Sequence, residues 1–274
     1  MVTSKTVLLR AQRRWADARG VRYDARGFVR ALADNLREPL DDSALAEVQR
    51  GSELAPRATQ PARAHSLCSS AALVVNVFGY WRGRDQTPLL EALGVAGPGG
   101  TRLEFEAPLP TGLPGDPPTV DVALHRPDGR RVAVESKFAE WLAPRPRGKR
   151  VLKDKYFAHG RVWEAAGLPL CQTLAEDLQE GRERLKYLNG AQILKHALGM
   201  AVNGLRTSVL VYLYYDGPGK EAATHRAEVD RVVARVKPEL ELRVATYQAL
   251  FGALRATSGI DRGYVDYLAQ RYFA

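Results

Sequence analysis

Two cysteines are all that the 274 residues carry, Cys68 and Cys171, far apart and outside any CxxC spacing. Neither a disulfide framework nor a zinc site is indicated, and a reducing, cytoplasmic compartment is the expectation. His65 and Cys68 have a suggestive spacing but no further ligands, and the five histidines are scattered. Long apolar runs are equally scarce: the longest, Ala71 to Trp81, is too short to span a bilayer and is interrupted by Asn76. The opening MVTSKTVLLRAQRRW has no sustained apolar core followed by a small-residue cleavage site, so no targeting segment is expected. GxSxG, HExxH, GxGxxG and EF-hand patterns are absent, and GPGG at 97–100 lacks the GxxxxGK of a phosphate loop. Acids are the minority charge, 31 against 40 basic residues, giving +9 and a pI near 9.7. That balance suits a polyanionic partner, DNA or RNA.

An apolar content of 45% and a charged content of 26% are those of a soluble globular chain. The length allows one large domain or one domain with an appendage. The most informative stretch is Thr119 to Glu140, TVDVALHRPDGRRVAVESKFAE. Both arms alternate with period two: Val120, Val122 and Leu124 against Asp121 and Ala123, then Val132, Val134, Ser136 and Phe138 against Ala133, Glu135 and Lys137. Pro127-Asp128-Gly129 between them predicts a three-residue turn with a bulge, Gly taking the left-handed position. That turn sets Asp121 directly opposite Glu135, whereas a two-residue turn would send them to opposite faces.

Carboxylates so paired, with β-carbons about 5 Å apart, repel by about 3 kcal/mol at an effective dielectric near 20 unless something positive sits between them. Lys137 points to the same side. Two hard oxygen donors at an open, wet position suit Mg²⁺, with Mn²⁺ as substitute. A divalent ion with an amine beside it is an arrangement for hydrolysing phosphodiesters. The competing reading is a solvated strand face.

Asp121, then thirteen residues, then Glu135-Ser136-Lys137 on consecutive strands resembles the PD-(D/E)XK nuclease superfamily, with Val120 in place of the proline of that name. The resemblance implies a restriction-endonuclease-like mixed β-sheet flanked by helices and a metal-dependent nuclease acting on DNA. It would make Asp121 and Glu135 metal ligands, the Ser136 carbonyl a further ligand, and Lys137 the catalytic lysine. A binding module that keeps the fold without catalysis, and an RNA-directed enzyme, are the alternatives.

The remaining chain is read around that core. Residues 1–64 are expected as a helical extension and 65–274 as the nuclease-like domain. Phe28, Leu32 and Leu36 suggest a helix, and Asp41-Asp42-Ser43 the start of another. The basic excess between Lys5 and Arg30 is either a phosphate-riding surface or a solvated helix face. An apolar helix is predicted from Ser69 to Trp81 and a second from Pro88 to Leu93. On the first, Asn76 is the candidate for an extra polar group at the metal site, against a satisfied core amide; Glu91 on the second is the weaker candidate. A strand at 103–107 carries Glu104 and Glu106, either of which could add a third carboxylate. After the hairpin, PRPRGKRVLKDK gathers Arg145, Arg147, Lys149, Arg150, Lys153 and Lys155 as a phosphate-tracking surface. Trp141, Tyr156 and Trp163 flank it, as stacking or packing groups.

Thr173 with Glu176 predicts a capping box opening a helix through Leu174, Leu178, Leu185 and Leu188. A helix from about Asn189 to Val202 places Gln192 and His196 on one face. These are similar to the Gln-x-x-x-Tyr motif of the recombination-exonuclease branch, with His in place of Tyr, and the resemblance implies that Gln192 assists. A polar seam between helix and sheet is the other reading. Thr207 to Asp216 and Glu241 to Tyr247 read as strands joined by a helix from His225 to Val236, a crossover that makes them parallel.

Overall fold

Three successive strands, β1 (Arg102–Pro108), β2 (Thr119–His125) and β3 (Arg131–Lys137), form an antiparallel meander. The structure is a computed structural model and describes residues 4–51, 61–145, 151–217 and 219–273. The tight turn is the one the residues predict: the Arg126 N–H donates to the Arg130 carbonyl at 2.9 Å, and Gly129 sits at φ 80°. A residue with a β-carbon would be strained there. Val122 therefore faces Val134 and Leu124 faces Val132, the predicted register, and the ladder ends at the Val122–Val134 pair, one residue short of Asp121 and Glu135.

Before the sheet come α1 (Ser4–Ala18), α2 (Asp42–Arg50), α3 (Ser70–Phe78) and α4 (Thr87–Ala92). After β3, α5 (Val162–Ala165), α6 (Pro169–Glu180) and α7 (Gly190–Val202) lead to β4 (Val209–Tyr214). Next, α8 (Lys220–Val236) crosses to β5 (Leu242–Thr246), and α9 (Tyr247–Ala256) and α10 (Arg262–Leu268) follow. The sheet order is β1-β2-β3-β4-β5, with β3, β4 and β5 mutually parallel. This is the mixed α/β sheet, flanked by helices, of a restriction-endonuclease-like fold. Among the described residues no helix is long and apolar enough to cross a membrane.

Both faces of the meander are covered as far as Glu135, whereas Asp121 and Lys137 at the end of the acidic face stay partly exposed. Ala133 and Glu135 are as buried as Val132 and Val134. One face meets α7 through His196, and on the same side of the sheet α8 reaches Tyr212 of β4 through His225; the other meets α3 and α9, Ser136 hydrogen-bonding the Tyr247 hydroxyl at 2.7 Å. Helices preceding the sheet share this core: Leu8, Trp15, Ala44 and Val48 are buried in it. Arg271 ties the two ends together, its guanidinium donating to the Asn35 carbonyl at 2.7 Å while its own carbonyl accepts from Gln12.

Three helix expectations change. Phe28, Leu32 and Leu36 lie on no α-helix. The Asp24 carboxylate instead accepts the Arg26 and Phe28 N–H groups, Phe28 bridges to Ser66, and only a short 3-10 turn, Leu32–Asn35, remains. Thr173 is not a cap: α6 opens four residues earlier at Pro169, where a missing N–H costs nothing, and the Thr173 hydroxyl donates back to the Pro169 carbonyl at 3.1 Å. The helix then stops at Gly181, φ 76°, so Leu185 and Leu188 belong to the following turn. Finally, α8 begins at Lys220 rather than His225.

Gly199 lets α7 seat deeply. A β-carbon there would lie 2.6 Å from the Leu109 carbonyl oxygen, a backbone atom with little room to yield. Alanine normally favours a helix over glycine by about 1 kcal/mol. Overpacking of about 1–3 kcal/mol outweighs that gain, so Gly199→Ala is expected to lower the urea midpoint; a midpoint raised above wild type would contradict the close contact.

Candidate active site

The three hairpin residues converge. Lys137 makes an ion pair with Glu135 Oε1, and the Ser136 N–H, beyond the last ladder pair, donates to Asp121 Oδ2 at 2.6 Å. A residue's N–H and C=O leave an extended strand on the same edge, so the Ser136 carbonyl also lies on the Asp121 side. Asp121 and Lys137 line a cavity of about 360 Å³ together with Glu106, Glu140, Arg145 and Gln192. Glu135 lies just behind it, 1% exposed, its Oε2 at 2.7 Å from His196 Nε2.

Charge is unevenly shared among these groups. Burial by itself would raise the Glu135 pKa, but Lys137 and His196 outweigh it and hold the carboxyl down at about 2. Asp121 moves the opposite way: burial and then the negative charges of Glu135 and Glu106 push it well above the usual carboxylate range, against the pull of Lys137. Burial would lower Lys137, and Glu135 and Asp121 reverse that and raise it. One amine thus serves Glu135, and Asp121 is left as the acid without a matching cation.

Glu106 is aimed at this corner by unusual backbone. It is the one non-glycine described residue with positive φ, 46°, and it drops out of the β1–β2 ladder between Phe105 and Ala107. Its carboxylate accepts from the Thr119 hydroxyl at 3.0 Å. Glu104, a pleat away, belongs elsewhere, paired with Arg50, Arg102 and His125.

The other candidates divide. Gln192 reaches the cavity wall, its Oε1 accepting from Asn189 at 3.0 Å, and His196 one turn on faces Glu135. Asn76 does not reach the site: its oxygen accepts from the Arg37 N–H, and its nitrogen donates to the Asn35 carbonyl and the Tyr272 hydroxyl, so the core-amide reading holds. Glu91 is exposed and on α4. Arg145 lines the cavity, half-buried, and burial lowers its pKa. Lys153 is exposed beside it, and Lys155 is turned away onto the Pro114 carbonyl at 2.6 Å. Arg147, Lys149 and Arg150 lie outside the described residues. Trp141, Tyr156 and Trp163 are buried, Trp141 stacked on His225 and Tyr156 on Trp163, and of the three Trp141 also lines the cavity.

The sequence reading missed much of the wall: Arg63, Ser70, Tyr187 and Asn189 arrive from distant segments. It also missed their anchor, Glu228 on α8, whose buried carboxylate accepts the N–H groups of Lys186, Tyr187 and Leu188 at 2.7–2.9 Å. The Lys186 carbonyl in turn accepts from the Arg145 N–H. No pattern in the sequence marks a helix glutamate as the clasp of a loop forty residues away.

A family model described as restriction endonuclease associating with ARP, REase-ARP, matches residues 16–273. The chain belongs to the REase-ARP family. The match runs from α1 to the C-terminal end and takes in every candidate residue of the cavity. No curated protein and no solved structure matches the chain.

Whether this REase-ARP site fits a divalent ion turns on its donors. Among the described residues no three His, Cys, Asp or Glu side chains stand ready around one point. Asp121, Glu135 and the Ser136 carbonyl nevertheless offer hard oxygens, and the raised Asp121 pKa marks a place where a cation relieves repulsion. Mg²⁺ takes one or two carboxylates and completes its shell with water and phosphate oxygens, so the set fits.

The uneven charges predict opposite effects of two conservative changes in metal-free protein at pH 7. Asp121→Asn removes the acid under repulsion yet keeps an acceptor for Ser136, so it is expected to raise the urea midpoint. Glu135→Gln strands a buried ammonium and is expected to cost about 3 kcal/mol. The Glu135 pKa is depressed in the folded state, so its stabilising effect is full above its ordinary value of 4.5 and is lost as pH falls towards 2. Denaturation curves showing both variants shifted the same way would overturn this charge assignment.

Proposed function

We propose that this REase-ARP chain is a metal-dependent nuclease of the PD-(D/E)XK type, hydrolysing phosphodiester bonds of DNA. The observation that carries the reading is that Asp121 and Lys137 line one cavity of about 360 Å³ with Glu135, paired to Lys137, directly behind them. Asp121 and Glu135, with the Ser136 carbonyl, would hold Mg²⁺, or Mn²⁺ in its place. When bound, such an ion polarises the phosphoryl oxygens and eases deprotonation of the attacking water.

The chain's own groups do the rest. Lys137, kept protonated by its acidic neighbours, places an ammonium where negative charge builds on the phosphorane-like transition state, in a site that is partly closed to water. Glu135 Oε1, which now pairs with Lys137, would be the oxygen to hold the ion, and Lys137 would then face the phosphate. Gln192 offers amide hydrogen bonds from the wall and fixes the orientation of the bound strand. Arg145 neutralises a flanking phosphate, and the net charge of +9 favours encounter with the polyanion.

A second reading has one observation in its favour: both oxygens of Glu135 are engaged by side chains of the protein itself, Lys137 and His196. A module that keeps this fold to bind nucleic acid or protein, without cutting, would need no more. The family description, with its association with ARP, is compatible with such a partner-binding role.

Purified protein with Mg²⁺ or Mn²⁺ at low salt is expected to cut single- or double-stranded DNA. Lys137→Ala and Asp121→Asn should each lose cleavage by at least about 10²-fold, a loss typical of removing a charge-stabilising group. Asp121→Asn carries particular weight because it is expected to be well folded. Wild-type protein inert towards all DNA forms and RNA, while still binding nucleic acid and taking up no Mn²⁺ in calorimetry, would replace the nuclease by the binding module.

A further inference from the structure

His196 is a ring with one polar contact. It is 1% exposed on α7, among buried Ile193, Leu194, Ala197 and Leu198. Its Nε2 lies 2.7 Å from Glu135 Oε2, and because a carboxylate only accepts, Nε2 is the nitrogen that carries the hydrogen. Nδ1 is buried with no hydrogen-bond partner among the described residues. A buried imidazole left half-satisfied is costly as a packing element, where a leucine would fill the same space without an orphan atom. The residue is therefore explained by what it does to Glu135.

We infer that His196 is a positioning residue that fixes the Glu135 carboxylate, tying back Oε2 so that Oε1 alone is presented to a divalent ion at the Asp121 side of the cavity. This rests on the metal-dependent reading above. A carboxylate on a flexible glutamate can rotate and offer either oxygen or both. With Oε2 held from α7, rotation stops and the remaining oxygen is the one that now meets Lys137. The height of the ring is set independently of the site: Gly199 lets α7 rest on the Leu109 backbone, and the Asn203 amide donates to the Pro110 carbonyl at 2.6 Å. The helix thus acts as a rigid bracket, and its imidazole is the part that touches the acid. Outer groups of this kind, which hold a ligand rather than the ion, change metal affinity by about 10–100-fold when removed.

The test compares full-length wild type with His196→Gln, which keeps an N–H donor at similar reach, and His196→Leu, which fills the space without one. Mn²⁺ affinity is measured by titration calorimetry, with melting temperature as the control for folding. The expected result is Mn²⁺ binding weakened about tenfold or more in His196→Leu and restored to within about threefold of wild type in His196→Gln. Long-range ¹H–¹⁵N spectra of metal-free wild type should show hydrogen on Nε2. Leu and wild type binding Mn²⁺ alike would overturn the inference and leave the metal reading intact, as would a Gln variant no better than Leu, or a ring protonated on Nδ1 alone. Wild type taking up no Mn²⁺ would remove the metal reading itself and this inference with it.

Discussion

A fully buried carboxylate, Glu135, held between an ammonium and an imidazole, is the constraint around which this molecule is arranged. A lone carboxylate in such surroundings costs several kcal/mol, and losing either partner would leave that cost standing. Lys137 comes from the same strand and is supplied by local geometry. His196 comes sixty-one residues later and demands that α7 lie across β3 at one height. The close approach at Gly199 and the clasp of Glu228 on the loop before α7 both serve that requirement. The parallel seat of β4 beside β3 brings Tyr212 alongside Glu135 and completes the wall.

Once Glu135 is neutralised, Asp121 becomes the site's unbalanced charge, with Glu106 adding to it through a strained backbone. The cavity mixes both signs, Arg63, Lys137 and Arg145 standing with Glu106, Asp121 and Glu140 in its lining. The divalent cation proposed above would relieve the repulsion at Asp121. The electrostatic asymmetry also separates folding from chemistry. On the proposed reading Glu135 would serve both, whereas Asp121, under repulsion in the metal-free fold, would be kept for chemistry alone.

The candidate site was legible in the sequence to the extent that it is built from near neighbours. Asp121, Glu135 and Lys137 follow from a short turn and a two-residue period, and Gln192 and His196 from four-residue spacing on one helix. Asn76, an amide in an apolar helix, carries the same signal whether it meets a metal or a backbone, and here it meets Asn35 and Tyr272. Trp141, Tyr156 and Trp163 were equally ambiguous, because aromatic residues beside basic ones serve packing as readily as stacking. Thr173 shows the limit in another way: a capping pattern was overruled by Pro169, whose ring starts a helix without needing the cap.

By itself the sequence determined the hairpin register, the facing acids, the amine beside them and the parallel crossover from β4 to β5, since each depends on turn chemistry and periodicity within a few residues or one connection. Only the tertiary structure decided that the acidic face is roofed as far as Glu135, which oxygen of Glu135 is tied back, and that Arg63, Ser70, Tyr187 and Arg145 share one cavity with Asp121. Those outcomes depend on how far apart helices dock and which charges are stripped of water together. Such properties arise between segments distant in the chain, where no local pattern records them.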